Sequence, residues 1–514
     1  MCDKIMGFWK DEFSQIASNK KISPDIIKQF DGVYKNSVAG LNGSIIFIAR
    51  LNDKIPSPKV LVVIPGNDEE YGFHGKTERI GGCRLLVCDL THENAVSLRK
   101  HFPYTAPVCL KDRKTTIGLG DRLGIATPAH AVLMESYDAS AVFAQQSIRE
   151  LSLCGRTYEN VLDDVSFAVF QEGYKKGFGA DGDHLKSLDE VKMALDAGYT
   201  MITLDCSEHI DDAASALSGD ALDARYSELE KSVRDNYDSK YLGARAEGEG
   251  FILDIARDNL QRTVVVFGEA INFAEMVFEN CLKHKDVVFE LSIDETLTST
   301  DPVSHFIIAS ELLARGVRID NLAPRFIGEF QKGIDYIGDA AAFTKEFEVH
   351  CAIADHLGYK ISVHSGSDKF KIFSIVGEKA KGRYHLKTSG TNWLEAVRTI
   401  AVTNPSLYRR MHRYAEENIE QAKQYYHISA KRENIPDIDL MDDSDLPSLL
   451  DIPDARQYLH ITYGLILNAG NRTAFYEDIY QTLGSHEDEY LNAIASHIGR
   501  HLDELNIRKL NTGA

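Results

Sequence analysis

Residues 360–370 read KISVHSGSDKF. The first half alternates as a buried strand does, with Ile361 and Val363 on one side. The second half crowds His364, Ser365, Ser367, Asp368 and Lys369 around Gly366. Polarity alone would mark only a solvated loop. A histidine at the last strand position, opening into Ser-Gly-Ser-Asp-Lys, is more pointed. It is how a strand of a parallel barrel delivers a ligand or an acid–base group to the rim.

Working outward, the same pattern recurs. Strand-like runs are TTIGLGD (115–121), SFAVFQE (166–172), TMITLDC (200–206), VVFELSI (287–293), RIDNLAP (318–324), KISVHS (360–365), RYHLKTS (383–389) and YLHITYG (458–464). Between them lie helical patterns such as SHFIIASELLARG (304–316) and EFEVHCAIADHLG (346–358), each closed by a glycine. Eight strands alternating with helices predict a (β/α)8 TIM-type barrel of the α/β class over residues 111–514. Residues 1–110 read as an N-terminal α/β extension with strands SIIFIAR (44–50), KVLVVIPG (59–66) and RLLVCDL (84–90). Two acidic segments interrupt the barrel. Residues 207–245 are helical and read as a lid or peripheral insertion after the third strand. Residues 433–455 carry prolines and read as an exposed loop.

Composition narrows the function. The chain has 514 residues, 44% of them hydrophobic, with a formal net charge of -20. Such a surface repels phosphate backbones and disfavours nucleic-acid binding. The eight cysteines form no CxxC pair, which fits a reducing cytoplasm better than a disulfide frame or a structural zinc site. The N-terminus MCDKIMGFWKDEF lacks the apolar core of a signal peptide, and no run approaches the roughly 18 apolar residues that span a bilayer. The expectation is a cytoplasmic enzyme with no nucleic-acid or membrane partner. Nothing in the sequence excludes a homo-oligomer.

Chemistry-bearing side chains gather at the carboxyl ends of the candidate strands. Asp121, Asp183, His184, Glu290, Asp294, Arg325, Glu329, His364, His385 and Lys387 all fall there. Strand starts are much poorer in such groups. Asp121 also reads as a helix cap. His184 sits in GFGADGDHLK, taken as a glycine-bearing loop, and suits a ligand. His364 at a strand end suits a ligand or an acid–base group, and His385 does so more weakly. Glu290 lies in an apolar strand, so its carboxylate must be paired or metal-bound. Arg325 and Glu329 could pair with each other. Histidines and carboxylates without clustered cysteines favour a divalent Zn, Mn, Ni or Co. HExxH, GxSxG and Rossmann fingerprints are absent from the sequence, against a zincin, a serine hydrolase and an NAD enzyme.

Six separated motifs carry a resemblance: GDRLGIATPAH (120–130), FQEGYKKGFGADGDHLKS (170–187), ELSIDET (290–296), LAPRFIGEFQKGIDYIGD (322–339), HSGSDKF (364–370) and HLKTSGT (385–391). In order and spacing they resemble the bacterial tagaturonate epimerase family, from about residue 115 to the C-terminus. The resemblance implies a metal-dependent barrel isomerase that interconverts D-tagaturonate and D-fructuronate in hexuronate catabolism. It implies His184, Glu329 and His364 as metal ligands with Glu290 as a fourth candidate, and Asp121 and Asp294 (or its neighbour Glu295) as acid–base groups. Arg325, Lys369, His385 and Lys387 are then the candidates for binding substrate. The two uronates differ at a carbon β to the ketone, so a metal-stabilised enediolate formed by retro-aldol cleavage is the expected route. A class II-type aldolase or a ketose isomerase would use the same site. A sugar-acid sensor would need no acid–base pair.

Overall fold

The structure is a computed structural model that describes residues 9, 13, 22–51, 56–66, 71–388 and 390–510. The MCDKIMGFWKDEF stretch, Trp9 and Phe13 apart, lies outside the described residues.

The N-terminal part is an antiparallel sheet. Its strands are β1 (Ala39–Leu41), β2 (Ser44–Arg50), β3 (Lys59–Ile64), β4 (Lys76–Ile80) and β5 (Cys83–Cys88), in the order β1-β2-β3-β5-β4. Strands β2, β3 and β5 coincide with the three runs expected from sequence. β2 and β3 are buried almost residue for residue because both faces are covered. Trp9, Phe13 and Phe30 pack on one face; Leu98, Phe102 and Phe170 pack on the other.

The remainder closes into a barrel of eight parallel strands. They are β6 (Thr115–Gly118), β7 (Ser140–Ser147), β8 (Phe178–Leu185), β9 (Met201–Asp205), β12 (Val288–Ile293), β13 (Asn321–Pro324), β14 (Lys360–Val363) and β15 (Tyr384–Lys387). The last pairs with the first, Tyr384 opposite Thr115, so no edge is left open. A hairpin of β10 (Arg245–Gly248) and β11 (Phe251–Asp254) lies outside the barrel.

The count of eight holds, but two of its members were misplaced. SFAVFQE is the end of a helix, Tyr158–Glu172, opened by a Thr157–Asn160 capping box and closed by Gly173 in the left-handed region. This helix lies between the barrel and the N-terminal sheet. Val165 and Val169 face the barrel core while Phe167 and Phe170 face the sheet. Burial on two sides erases the helical period. YLHITYG straddles two consecutive helices, Pro453–Ile461 and Tyr463–Arg472, and is again buried nearly throughout. The strands actually used in their place are β7 and β8. β8 reads FGADGDHL, so its barrel-lining acids and glycines look like loop chemistry. Gly182 is required there because a Cβ would lie 2.8 Å from Ala194 Cβ.

Of the two interruptions, the first takes one of its two expected forms and the second differs from expectation. Residues 207–245 follow the fourth barrel strand, β9, and form short helices that pack outward through Tyr226, Tyr237 and Tyr241. They are peripheral and contribute no wall to the cavity described below. Residues 433–455 are not an exposed loop. Ile435, Ile438, Leu446, Leu449 and Leu450 are buried, while Arg398 and Arg409 bind the segment's carbonyls and acids. The acidic face is solvated and the apolar face is core. Among the described residues no helix is long and apolar enough to cross a membrane.

Gly377 tests how tightly the C-terminal helix Glu487–Glu504 is seated. Glycine-to-alanine inside a helix ordinarily stabilises by about 1 kcal/mol. Here an added Cβ would run into the backbone carbonyl of Leu505, so Gly377→Ala reverses the sign. The expected outcome is a lower thermal midpoint than wild type, measured by circular dichroism.

Candidate active site

Inside the barrel, one ammonium reaches across from β15 to hold together the inner acids of β8 and β12. Lys387, the last residue of β15, reaches Asp183 Oδ1 at 2.5 Å, Thr203 Oγ1 at 2.7 Å, Glu290 Oε1 at 3.0 Å and Asp181 Oδ2 at 3.1 Å. All of these side chains are buried. Burial alone would raise Asp183 and Glu290, but Lys387 outweighs it, helped by the neighbouring histidines. Both stay well below the ordinary carboxylate range. The same acids hold Lys387 well above the usual lysine range despite its burial. Asp181 is raised by burial, with Asp183 and Glu290 adding to it. Thr203 caps Asp181 with a hydrogen bond of 2.9 Å.

Two of these acids orient two histidines. Glu290 Oε1 accepts from His364 Nε2 at 2.7 Å, and Asp183 Oδ1 accepts from His184 Nδ1 at 2.8 Å. Each bond fixes which nitrogen carries the proton and leaves the other as a lone-pair donor. For His364 the free atom is Nδ1, buried and without a hydrogen-bond partner. It lies 3.0 Å from Asp294 Oδ1, and Asp294 is itself held by Ser292 Oγ at 2.6 Å. The two imidazole rings are 5.0 Å apart. Ligand atoms of His184, Asp294 and His364 all lie within 4.8 Å of one another. Burial lowers both histidines, yet carboxylates more than restore them. Asp183 lifts His184 to about 10, and Asp294 and Glu290 raise His364. Asp294 in turn is held below the carboxylate range by His364 despite burial. Two nitrogens and an oxygen converging in this way fit a divalent cation, which would replace the protons the histidines otherwise carry.

The cluster opens into a cavity of about 670 Å3. Its backbone is tense: His184, Ser365 and Asp368 all take positive φ, between 50° and 61°.

The residues expected from sequence divide into three groups. His184, Asp294 and His364 converge, with Asp294 where Glu329 was expected. Glu329 and Arg325 line the cavity but stand outside that convergence, and no ion pair joins them among the described residues. Lys387 and Lys369 also line it, but both ammonium groups are spent. Lys369 donates to the carbonyls of Gln331, Ile334 and Ser367 at 2.6–2.9 Å. Asp121 and His385 stand apart. Asp121 accepts from the backbone amides of Leu123, Gly124, Ala126 and Thr127, so it ties a loop and offers no free oxygen as a base. His385 is buried inside the barrel against Thr116, away from the cavity wall. Burial pushes it down to about 3, so it is neutral. The roles of Asp181 and Thr203 had no local signal, because each depends on pairing between strands.

A closed parallel barrel with oriented histidines and a carboxylate at the strand ends is the architecture of a (β/α)8 enzyme. The sequence model of the tagaturonate epimerase family matches residues 34–505. The tagaturonate/fructuronate epimerase of Thermotoga maritima is 40% identical over 450 residues, covering 87% of this chain and 92% of that protein. The native crystal structure of the fructuronate-tagaturonate epimerase UxaE from Cohnella laeviribosi has a TM-score of 0.90 at 44% identity, covering 98% of this chain and 100% of that one. A glycerol complex of the same enzyme has a TM-score of 0.89 at 47% identity, covering 93% and 96%. The chain belongs to the tagaturonate epimerase family, and is an isomerase of carbohydrates and their derivatives.

Asp121 provides a direct check on this sorting. Asp121→Asn keeps the shape but turns acceptors into donors facing backbone amides, at a cost of about 1–3 kcal/mol. The expected outcome is a reduced thermal midpoint, with kcat of the folded enzyme within a few-fold of wild type. A kcat lowered by orders of magnitude at unchanged stability would return Asp121 to the reaction.

Proposed function

We propose that this chain interconverts D-tagaturonate and D-fructuronate by reversible carbon–carbon cleavage, with a divalent cation held by His184, Asp294 and His364. The observation that carries the reading is the pair of histidines, each oriented by its own buried carboxylate, whose ligand atoms converge with that of Asp294. It occurs in a chain whose relatives are named for this epimerisation.

The chemistry follows from where the two sugars differ. The inverted carbon bears a hydroxyl and lies β to the ketone. Removing a proton α to the ketone would scramble the neighbouring carbon instead. Cleaving the bond between the α and β carbons solves this. A base takes the β-hydroxyl proton, the C–O becomes an aldehyde, and the bonding pair stays on the ketone fragment as an enediolate. The aldehyde presents its other face, the bond re-forms, and the alkoxide regains a proton. A divalent cation at the trio supplies Lewis-acid polarisation of the ketone.

The protein's part is proton transfer and confinement. Asp294, held ionised within the trio, is a weak base. Glu295 and Glu329 line the cavity, and Glu295 Oε1 lies 4.0 Å from His184 Nε2. These two carboxylates serve the two faces of the aldehyde: Glu295 is the expected alternative to Asp294, and Glu329 takes the part expected of Asp121. Lys387 keeps Asp183 and Glu290 ionised, which holds both histidines in the ligating tautomer. Cys83, Cys109, Cys154, Cys206, Cys281 and Cys351 form no disulfide, in keeping with a reducing cytoplasm as the place of action.

Two measurements test this. Dialysis against a chelator removes activity, and adding back Mn, Ni, Co or Zn restores it; His364→Ala lowers metal content and lowers kcat/KM by more than about a hundredfold. Unchanged rate and metal content in His364→Ala would remove the trio from the mechanism. In deuterated water, proton NMR of tagaturonate with the enzyme shows fructuronate forming with its hydrogen retained at the inverted carbon. Deuterium at that carbon would replace cleavage by direct deprotonation, and released three-carbon fragments would mean an aldolase.

A further inference from the structure

Five cationic side chains of lysine or arginine line the cavity: Arg149, Arg325, Lys332, Lys369 and Lys387. Four are already committed. Lys387 holds the inner acids and Lys369 binds three carbonyls. Arg325 donates to the Thr296 carbonyl. Arg149 lies over the Tyr426 ring at 5.1 Å and reaches Glu295 at 4.0 Å. Lys332 differs. Its ammonium makes one hydrogen bond, to the neutral Ser365 hydroxyl at 3.1 Å, and no described carboxylate lies within ion-pair distance. The acid that acts on it most is Glu150, whose Oε1 pairs with Arg122 at 2.6 Å while its Oε2 has no hydrogen-bond partner, so this one carboxylate faces the charges of both Arg122 and Lys332.

Other buried polar atoms near Lys332 are left unpaired as well. Arg122 Nη1 and both ring nitrogens of His460 are buried without hydrogen-bond partners. The helix Thr391–Thr403 begins beside them at Gly390, against the His460 ring, with no side-chain cap. A helix start, an unspent guanidinium nitrogen and an uncompensated ammonium all favour an anion at this wall. The trio side of the cavity is the reverse, rich in carboxylates. A ligand suited to both has a chelating hydroxy-ketone at one end and a carboxylate at the other.

We propose that Lys332 anchors the carboxylate of the sugar acid and so sets the preference for a hexuronate over a neutral ketohexose. The proposal rests on the epimerase reading for the identity of the substrate. Its test compares D-tagaturonate with D-tagatose, the same skeleton with a hydroxymethyl group in place of the carboxylate. Lys332→Gln is expected to raise KM for tagaturonate by about tenfold to a hundredfold with kcat falling much less, and to leave D-tagatose within about twofold. Lys332→Arg, which keeps the charge, is expected to recover most of the loss. An equal loss on both substrates, or a fall confined to kcat, would overturn the proposal in favour of a proton-transfer or structural role. Calorimetry with gluconate and sorbitol reads binding without turnover. Wild type is expected to bind gluconate at least about tenfold more tightly than sorbitol, and Lys332→Gln to remove the difference. Gluconate binding no tighter than sorbitol, or insensitive to the substitution, would also overturn it. A wild type that leaves tagaturonate unchanged would sink the epimerase reading alone, since the calorimetric comparison does not depend on it.

Discussion

The site depends on one buried ammonium. Asp181, Asp183 and Glu290 project from β8 and β12 into the barrel interior, where all three are buried. Three acids in that space would each take a proton if left alone. Lys387 lies against all three. Its charge is what allows Asp183 and Glu290 to stay ionised, and only ionised acids can accept from histidine on the ligand side. Removing one member of such a buried network typically costs about 3–5 kcal/mol, because the partners are left uncompensated. The order of dependence therefore runs inward to outward: Lys387 sets the charge of the acids, the acids set the histidine tautomers, and the tautomers set which lone pairs face Asp294.

That order explains why three of the four expected substrate-binding residues, Lys369, His385 and Lys387, occupy the strand ends without facing substrate as free groups. A lysine that neutralises three acids has no donor to spare. Lys369 is a strut, binding carbonyls of residues 331 and 334 to the loop after β14. His385 is neutral and buried inside the barrel, away from the cavity. Positive charge available to a ligand is thus left to the segment after β13, where Lys332 sits beside Ser365, the residue that follows His364. The same strand ends hold the carboxylate-rich convergence of His184, Asp294 and His364 on one side, and unspent donors on the other.

Much of the barrel was legible because its later strands are short apolar runs closed by polar rims. VVFELSI, KISVHS and RYHLKTS are of this kind, and all three lie on barrel strands. β8 was illegible for a physical reason. FGADGDHL spends its side chains on the interior of the barrel, where acids and glycines replace the aliphatic pattern, so it carries a loop's composition. The helix at 158–172 erred in the opposite sense, since two covering layers make it apolar all round. His184 and His364 were recognisable as rim residues. Their tautomers were not, because each is fixed by an acid, and the acid of His364 lies 74 positions away in the chain. Asp121 misled because a carboxylate at a strand end can cap backbone amides or do chemistry. Only the four amides converging on it decide between the two.

The long C-terminal helical part has a structural reason to exist. The turn after β14 is strained, with Ser365 and Asp368 in the left-handed region, and such a turn relaxes unless neighbours over-determine it. Asp368 is the point at which they do so. Its carboxylate binds Arg456 at 2.8 Å and His497 at 2.6 Å, and its amide donates to His501 Nε2 at 3.0 Å. These partners come from two separate C-terminal helices, Pro453–Ile461 and Glu487–Glu504. His501 spends its other nitrogen on the His497 carbonyl. With both nitrogens committed, His501 has no lone pair to offer a metal, and the group around Asp368 acts as a clamp. A helix packed against the outside of the barrel therefore holds the backbone that presents His364 to Asp294, through a network in which every member is a partner of Asp368.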